Sequence, residues 1–310
     1  GVVDEHGSII YKDRMKTNAG RDQLEIVRDM ALMAEKVIKQ SGKDVSEIEA
    51  IGIGSPGTPD NDTGCLIYAN NLPFRNAPMR SEIRKYLDLP VYIDNDANVA
   101  ALAESVAGGA RGAGNSVAIT LGTGVGGGVV INHRIYNGFN HAGCEVGHMV
   151  IMAGGEQCTC GRKGCFEAYA SASALVRETE KAARNNPDSI LNKLIADNGG
   201  HADGRTAFIG MRQGDKAAAE VVDFYIEMLA EGLGNVINGY MPEVIVIGGG
   251  VCNEGDALLL PVRERALKKT YLAPSVAAPR IELATMGNDA GIVGAAMMAM
   301  NCIEDGIEGK

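Results

Sequence analysis

The sequence predicts an α/β protein of two lobes, built on a repeated pattern of strand, glycine turn, strand and helix. Three observations predict it. The chain has 310 residues, more than a single domain usually holds. Short apolar strands run into glycine-rich turns in both halves, at 116–131 and at 244–251. Four consecutive β-branched residues, Val244-Ile245-Val246-Ile247, lead into Gly248-Gly249-Gly250, the pattern of a strand buried on both faces with a ligand-facing loop at its carboxyl end. The two halves share this pattern more than they share residues, so the duplication is a matter of architecture.

Hydrophobic residues make up 45% of the chain and charged residues 22%, a composition that can fill a large core and is unlike that of a disordered chain. The net charge of -10 argues against a nucleic-acid partner, which needs a basic face. With no run of 18 apolar residues and no leader pattern, the expectation is a cytoplasmic protein with no membrane partner.

Taken in order, 1–17 reads as a hairpin, with Val2 and Val3 before a turn at 4–7 and Ile9, Ile10 and Tyr11 after it. Over 22–40, Leu24, Val27, Met30, Ala31, Ala34, Val37 and Ile38 mark one face of a helix that Gly42 ends. A strand at 48–53 enters the turn-rich loop 54–59, either a plain connector or a place where backbone amides meet a ligand. The strand Val91-Tyr92-Ile93 runs into Asp94-Asn95-Asp96-Ala97-Asn98 and an alanine-rich helix through Ala107. Asn95 or Asp96 could serve as a helix cap, but two acids and two asparagines in five residues exceed what one cap needs.

Strands at 116–121 and 125–131 flank the turn Gly122-Thr123-Gly124. This glycine-rich hairpin opens into a strand and not a helix, so neither the dinucleotide fingerprint nor the P-loop lysine applies; its amides and the Thr123 hydroxyl can still cradle phosphate oxygens. Helical sequence covers most of 165–184, and a long amphipathic helix follows Gly214. A last strand at 281–284 precedes a small-residue helix through Met300.

Three of the seven cysteines, Cys158, Cys160 and Cys165, fall within eight residues, and Gly161 and Gly164 allow the tight reversal that would bring three thiolates to one ion. His148, ten residues upstream, is the candidate fourth ligand of a tetrahedral structural Zn2+. Ordinary reduced thiols are the alternative. A disulfide reading fares worse, because Cys158 and Cys160 are too close for a relaxed bridge and seven is odd.

Four segments together carry a resemblance: Thr-Leu-Gly-Thr-Gly-Val-Gly-Gly-Gly-Val at 120–129, Glu145-Val-Gly-His148, Cys158-x-Cys160-Gly-x-x-Gly-Cys165-x-Glu167, and Asp94-Asn95-Asp96-Ala97-Asn98. Together they resemble the ROK family of sugar kinases and sugar-responsive repressors. The resemblance implies an actin-like, hexokinase-type ATPase fold, two lobes of duplicated ribonuclease H-like topology with a central cleft. It places a small lobe at 1–106, rejoined by the helix 288–310, and a large lobe at 107–287. The activity implied is ATP-dependent phosphorylation of glucose at its 6-hydroxyl, with Mg2+ accompanying ATP. Other members act on fructose, allose, N-acetylmannosamine or N-acetylglucosamine, or are repressors with a DNA-binding domain ahead of the kinase-like body.

By the same resemblance Asp96 is the catalytic base, and Asn95, Glu145, His148, Glu167, Gly57 and Asn71, or its neighbour Asn70, contact sugar. Gly122, Thr123 and Gly124 meet the phosphates, and Gly248, Gly249 and Gly250 the adenosine side. A homodimer or homotetramer is expected. The chemistry agrees: a sugar hydroxyl is a weak nucleophile and needs a carboxylate in reach, while alignment and charge stabilisation supply most of the rate. The family's first phosphate loop, Asp-x-Gly-Gly-Thr, does not occur in residues 1–310; the expectation is that it lies ahead of Gly1, in about a dozen residues of strand and turn, the alternative being a kinase crippled by its loss.

Overall fold

The computed structural model describes residues 1–69 and 71–309. Along the chain the elements are β1 (Val2–Val3), β2 (Ile9–Tyr11), α1 (Gln23–Ser41), β3 (Ile51–Ser55), β4 (Thr58–Asp60), β5 (Cys65–Tyr68), β6 (Arg75–Ala77) and α2 (Met79–Ile83). Then come β7 (Val91–Asn95), α3 (Asp96–Val106), β8 (Ser116–Leu121), β9 (Val125–Ile131) and β10 (Arg134–Tyr136). The rest comprises α4 (Glu167–Ala170), α5 (Ala172–Asn185), α6 (Leu191–Asp197), α7 (Thr206–Arg212), α8 (Lys216–Tyr240), β11 (Val244–Gly248), α9 (Asp256–Lys268), β12 (Arg280–Leu283) and α10 (Ala290–Glu304). None of the described helices is long and apolar enough to cross a membrane.

Two compact units emerge. The first holds Gly1–Ala118, Gly128–Cys144 and Ala284–Lys310; the second holds Ile119–Gly127 and Glu145–Leu283.

In the first unit β1 and β2 form the expected antiparallel hairpin. Helix α1 starts where Asp22 accepts the Leu24 amide at 2.8 Å and ends at Gly42 in the left-handed region, so both ends follow capping chemistry. Its buried face is Ile26, Val27, Ala31, Val37 and Ile38. Leu24, expected on that face, is exposed: it sits in the first turn, and Ile26 takes the core position. The strand expected at 48–53 begins only at Ile51, because 45–47 forms a 3-10 turn closed by reciprocal Asp44 and Glu47 bonds. Strand β3 pairs in parallel with β7, Ser55 opposite Asn95, over the buried core of Ile53, Ile93, Val91, Phe74 and Met79.

Loop 54–59, read as irregular, contains the end of β3 and the start of β4, which joins β5 and β6 in a small antiparallel sheet. Strands of three or four residues leave no run long enough for alternation to mark them. Helix α10 packs against α3 and β3 at glycines: a side chain on Gly294 would strike the Val99 carbonyl, and one on Gly52 the Ala295 carbonyl. An apolar cavity of about 690 Å³ lies beside β3, walled by α1 residues such as Met33 and Val37 and α10 residues such as Ile292 and Ala295.

In the second unit the turn-proximal ends of β9 and β8 continue into β11 and β12 in the order β9-β8-β11-β12, with β11 parallel to β12. Val244 through Ile247 are all buried, as their unbroken β-branched run predicts. Helix α8, the long amphipathic helix expected after Gly214, buries Val221, Val222, Tyr225, Ile226, Leu229 and Leu233.

Candidate active site and metal centre

In the first unit the polar cluster sits where β7 becomes α3. Asn95 is the N-cap: its side chain accepts the Ala97 amide at 2.9 Å, and its Nδ2 donates to the Gly57 carbonyl at 3.1 Å. The capping reading and the ligand reading therefore meet on one residue. Gly57 has φ 112, and a Cβ there would collide with the Tyr68 carbonyl, so only glycine fits. Asp96 opens α3, with Oδ1 taking the Ala97 amide at 3.0 Å. Burial pushes its carboxyl above the ordinary carboxylate range, against the opposing pull of that amide. Asn71 is exposed, and the alternative Asn70 lies outside the described residues.

Asp94 was not singled out as a site residue, yet it is buried at 4% exposure. Its carboxylate accepts the Asn95 amide at 2.6 Å, Asn98 Nδ2 at 2.8 Å and Asn137 Nδ2 at 3.3 Å, joining the β7 end, α3 and the segment after β10. Burial raises its proton affinity while these donors lower it. Asn137 lies 43 positions away, and no local pattern marks that pairing.

In the second unit the Gly122-Thr123-Gly124 turn closes through a Gly122 amide to Gly124 carbonyl bond of 3.0 Å. Nothing lies within 4 Å of where a side chain on Gly122 or Gly250 would begin, so a partner could approach either backbone closely. Gly249 has φ 110, and a Cβ there would strike the Leu121 carbonyl, so this glycine presses the β11 turn onto the β8 end. Gly248 closes β11.

The metal centre is built from two short stretches. Val146–His148 forms a 3-10 turn whose Gly147 lies so close to the Val125 carbonyl that any side chain would collide. The cysteine loop folds back through Cys158 and Arg162 (2.8 Å) and Gly161 and Cys158 (3.0 Å) backbone bonds, with Gly161 and Gly164 at positive φ as their spacing predicts. One ligand atom each from His148, Cys158, Cys160 and Cys165 lies within 4.8 Å of the others. Cys160 and Cys165 sulfurs are 3.7 Å apart, and Cys158 Sγ is 3.7 Å from His148 Nδ1. A disulfide needs about 2.05 Å. Metal–sulfur bonds of about 2.3 Å in a tetrahedron give edges of about 3.8 Å, so the set fits a zinc-sized ion. Burial, with its thiol neighbours, pushes the Cys165 thiol up to about 12, whereas hydrogen bonding led by the Arg162 amide lowers Cys160. A bound cation would deprotonate such thiols outright.

Glu145 is exposed at the head of the 3-10 turn. Glu167, the first residue of α4, faces inward: Oε1 accepts the Thr159 hydroxyl at 2.9 Å with Cys158 Sγ at 3.6 Å, and Oε2 accepts the Val125 amide at 3.1 Å. An ionised carboxylate offers about four acceptor directions, so capacity for a sugar hydroxyl remains.

Residues 1–301 match the ROK family. The chain is 37% identical over 307 residues to a glucokinase of Halalkalibacterium halodurans, covering 97% of this chain and 92% of that one. Among solved structures, the ROK hexokinase of Thermus thermophilus superimposes with a TM-score of 0.83 at 30% identity, covering 97% of this chain and 94% of that one. A ROK family glucokinase from Streptomyces griseus, solved with glucose and AMPPNP, gives a TM-score of 0.77 at 31% identity, with 97% and 95% covered. The fold class is that of the actin-like, hexokinase-type ATPases. A match over nearly the whole length, in both sequence and backbone, shows that the chain belongs to the ROK family.

Proposed function

We propose that this chain is an ATP-dependent kinase that phosphorylates glucose at its 6-hydroxyl, with Asp96 as general base. The observation that carries the reading is Asp96 itself: a carboxylate fixed at the first position of α3, with raised proton affinity, in a chain similar to several glucokinases. The rigid strand-to-helix junction holds the acceptor oxygen in place, and the raised proton affinity makes its ionised form a stronger base. It takes the hydroxyl proton as the sugar oxygen bonds to the γ-phosphorus and the bridging bond to the β-phosphate breaks, so that ADP leaves.

Asn95, Gly57, Asn71, Glu145, His148 and Glu167 are the proposed sugar-contacting residues. Acceptors aimed at several hydroxyls penalise a wrong stereocentre, which would leave one unpaired. Gly122, Thr123 and Gly124 bind phosphates, and Gly248 through Gly250 the adenosine side. Mg2+ bound with ATP would supply charge neutralisation at the β- and γ-phosphates. Zinc held by His148, Cys158, Cys160 and Cys165 would cross-link the 148–165 segment; His148 faces Cys158 through Nδ1, leaving Nε2 for sugar. We assign the two compact units to the two lobes, and the protein to the cytoplasm.

ADP release measured on glucose, fructose, allose, N-acetylmannosamine and N-acetylglucosamine tests this. Glucose should give the highest kcat/KM. Faster turnover of an N-acetylated sugar would replace glucose as substrate.

A further inference from the structure

Within the second unit, one side chain joins the two features described separately above. We infer that Glu167 is a positioning residue that ties the metal loop to the phosphate turn, so that metal occupancy sets nucleotide affinity as well as sugar affinity. The inference rests on the proposed roles of Gly122–Gly124 and the Cys3His set.

Thr159 lies between Cys158 and Cys160, two of the metal-ligating positions, so its place is fixed only as firmly as theirs. Its hydroxyl donates to Glu167 Oε1 at 2.9 Å, and Oε2 of the same carboxylate accepts the Val125 amide at 3.1 Å. Val125 is the residue directly after the turn. On the other side of the turn, the Gly122 carbonyl accepts the Ala172 amide at 2.8 Å from the start of α5. Both ends of the glycine turn are thus held from the α4–α5 segment.

That segment is itself rigid. Phe166, fully buried, sits where any side chain on Gly232 of α8 would strike its ring, and Tyr225 donates to the Ala170 carbonyl at 2.7 Å. A side chain on Gly124 would collide with Glu167 Oε2, so turn and carboxylate are in direct contact. Glycines lack a side chain to restrain them, and such a turn depends on outside anchors to keep its amides aimed. Freeing the cysteine loop would release Thr159 and Cys158, two of the three protein partners of the carboxylate, and loosen its hold on Val125.

The test is AMPPNP binding by calorimetry, without sugar, on the full chain, with metal content measured alongside. Thr159→Val removes the hydroxyl and keeps the shape. It should weaken AMPPNP binding about 3- to 10-fold, the range one lost hydrogen bond gives, while about one metal per chain is retained. Thr159→Ser, which keeps the hydroxyl, should bind as the original does. Chelating the metal should weaken binding by at least as much in the original chain, and by less in Thr159→Val, since linked contributions do not add. Unchanged affinity in Thr159→Val with metal retained, or full additivity with chelation, would overturn the tie. If the unaltered chain neither bound AMPPNP nor released ADP with any sugar, the kinase reading would fall, and the inference with it.

Discussion

Asp96 and Asp94 are two residues apart, both have raised proton affinity, and differ in what surrounds them. Asp94 is enclosed by three nitrogen donors and holds three segments in place, whereas Asp96 has the Ala97 amide on one oxygen and the start of a helix beneath it. Replacing Asp96 by Asn should lower kcat by about 100- to 10,000-fold, the usual contribution of a general base, with AMPPNP affinity nearly unchanged. Near-normal turnover would remove it from the mechanism. Burial raises the Asp96 pKa, and the base must be unprotonated to act. Activity should therefore fall, as pH is lowered, at a higher pH than an ordinary carboxylate would dictate; an acid limb in kcat/KM at or below the ordinary carboxylate range would contradict this. The sequence named Asp96 through its motif, but showed nothing of the Asp94 to Asn137 bond, which forms only once β10 and the following segment return to β7.

At the scale of the element, short turns and caps hold the proposed functional groups. Asn95→Ala should cost about 1 kcal/mol of stability through the lost cap, and also the bond to the Gly57 carbonyl. Denaturant unfolding with no loss would show that the cap contributes nothing. Gly249→Ala places a methyl against the Leu121 carbonyl at a φ that L residues avoid, so the β11 turn must shift. Nucleotide affinity should drop while glucose affinity holds, as read by separate titrations. Phe166→Ala empties a fully buried site between α4 and α8 and should destabilise by about 3–5 kcal/mol in the same unfolding assay. Capped helices such as α1 and unbroken strands such as β11 were legible, because capping residues and β-branched runs act within a few positions. Strands β4 to β6 were not, because three or four residues carry too little pattern.

For the whole molecule the metal is the widest test. Elemental analysis should give about one zinc per chain, and a folded, active preparation without metal would remove that assignment. Chelation should lower the unfolding temperature, since a site of this kind binds the folded chain and not the unfolded one.

The sequence by itself determined the family, the longer helices and strands, and the four residues that the fold gathers into a candidate metal set, and its motif supplies Asp96 as the proposed base. Each is written in residues close together, or in motifs whose spacing carries the chemistry. Tertiary structure alone decided where the buried face of α1 begins, what Asp94 holds, and that Glu167, expected only to touch sugar, binds residues on two separate loops. Val125 and Glu167 are 42 positions apart. A hydrogen bond at that separation depends on the path of the whole intervening chain, which no local periodicity encodes.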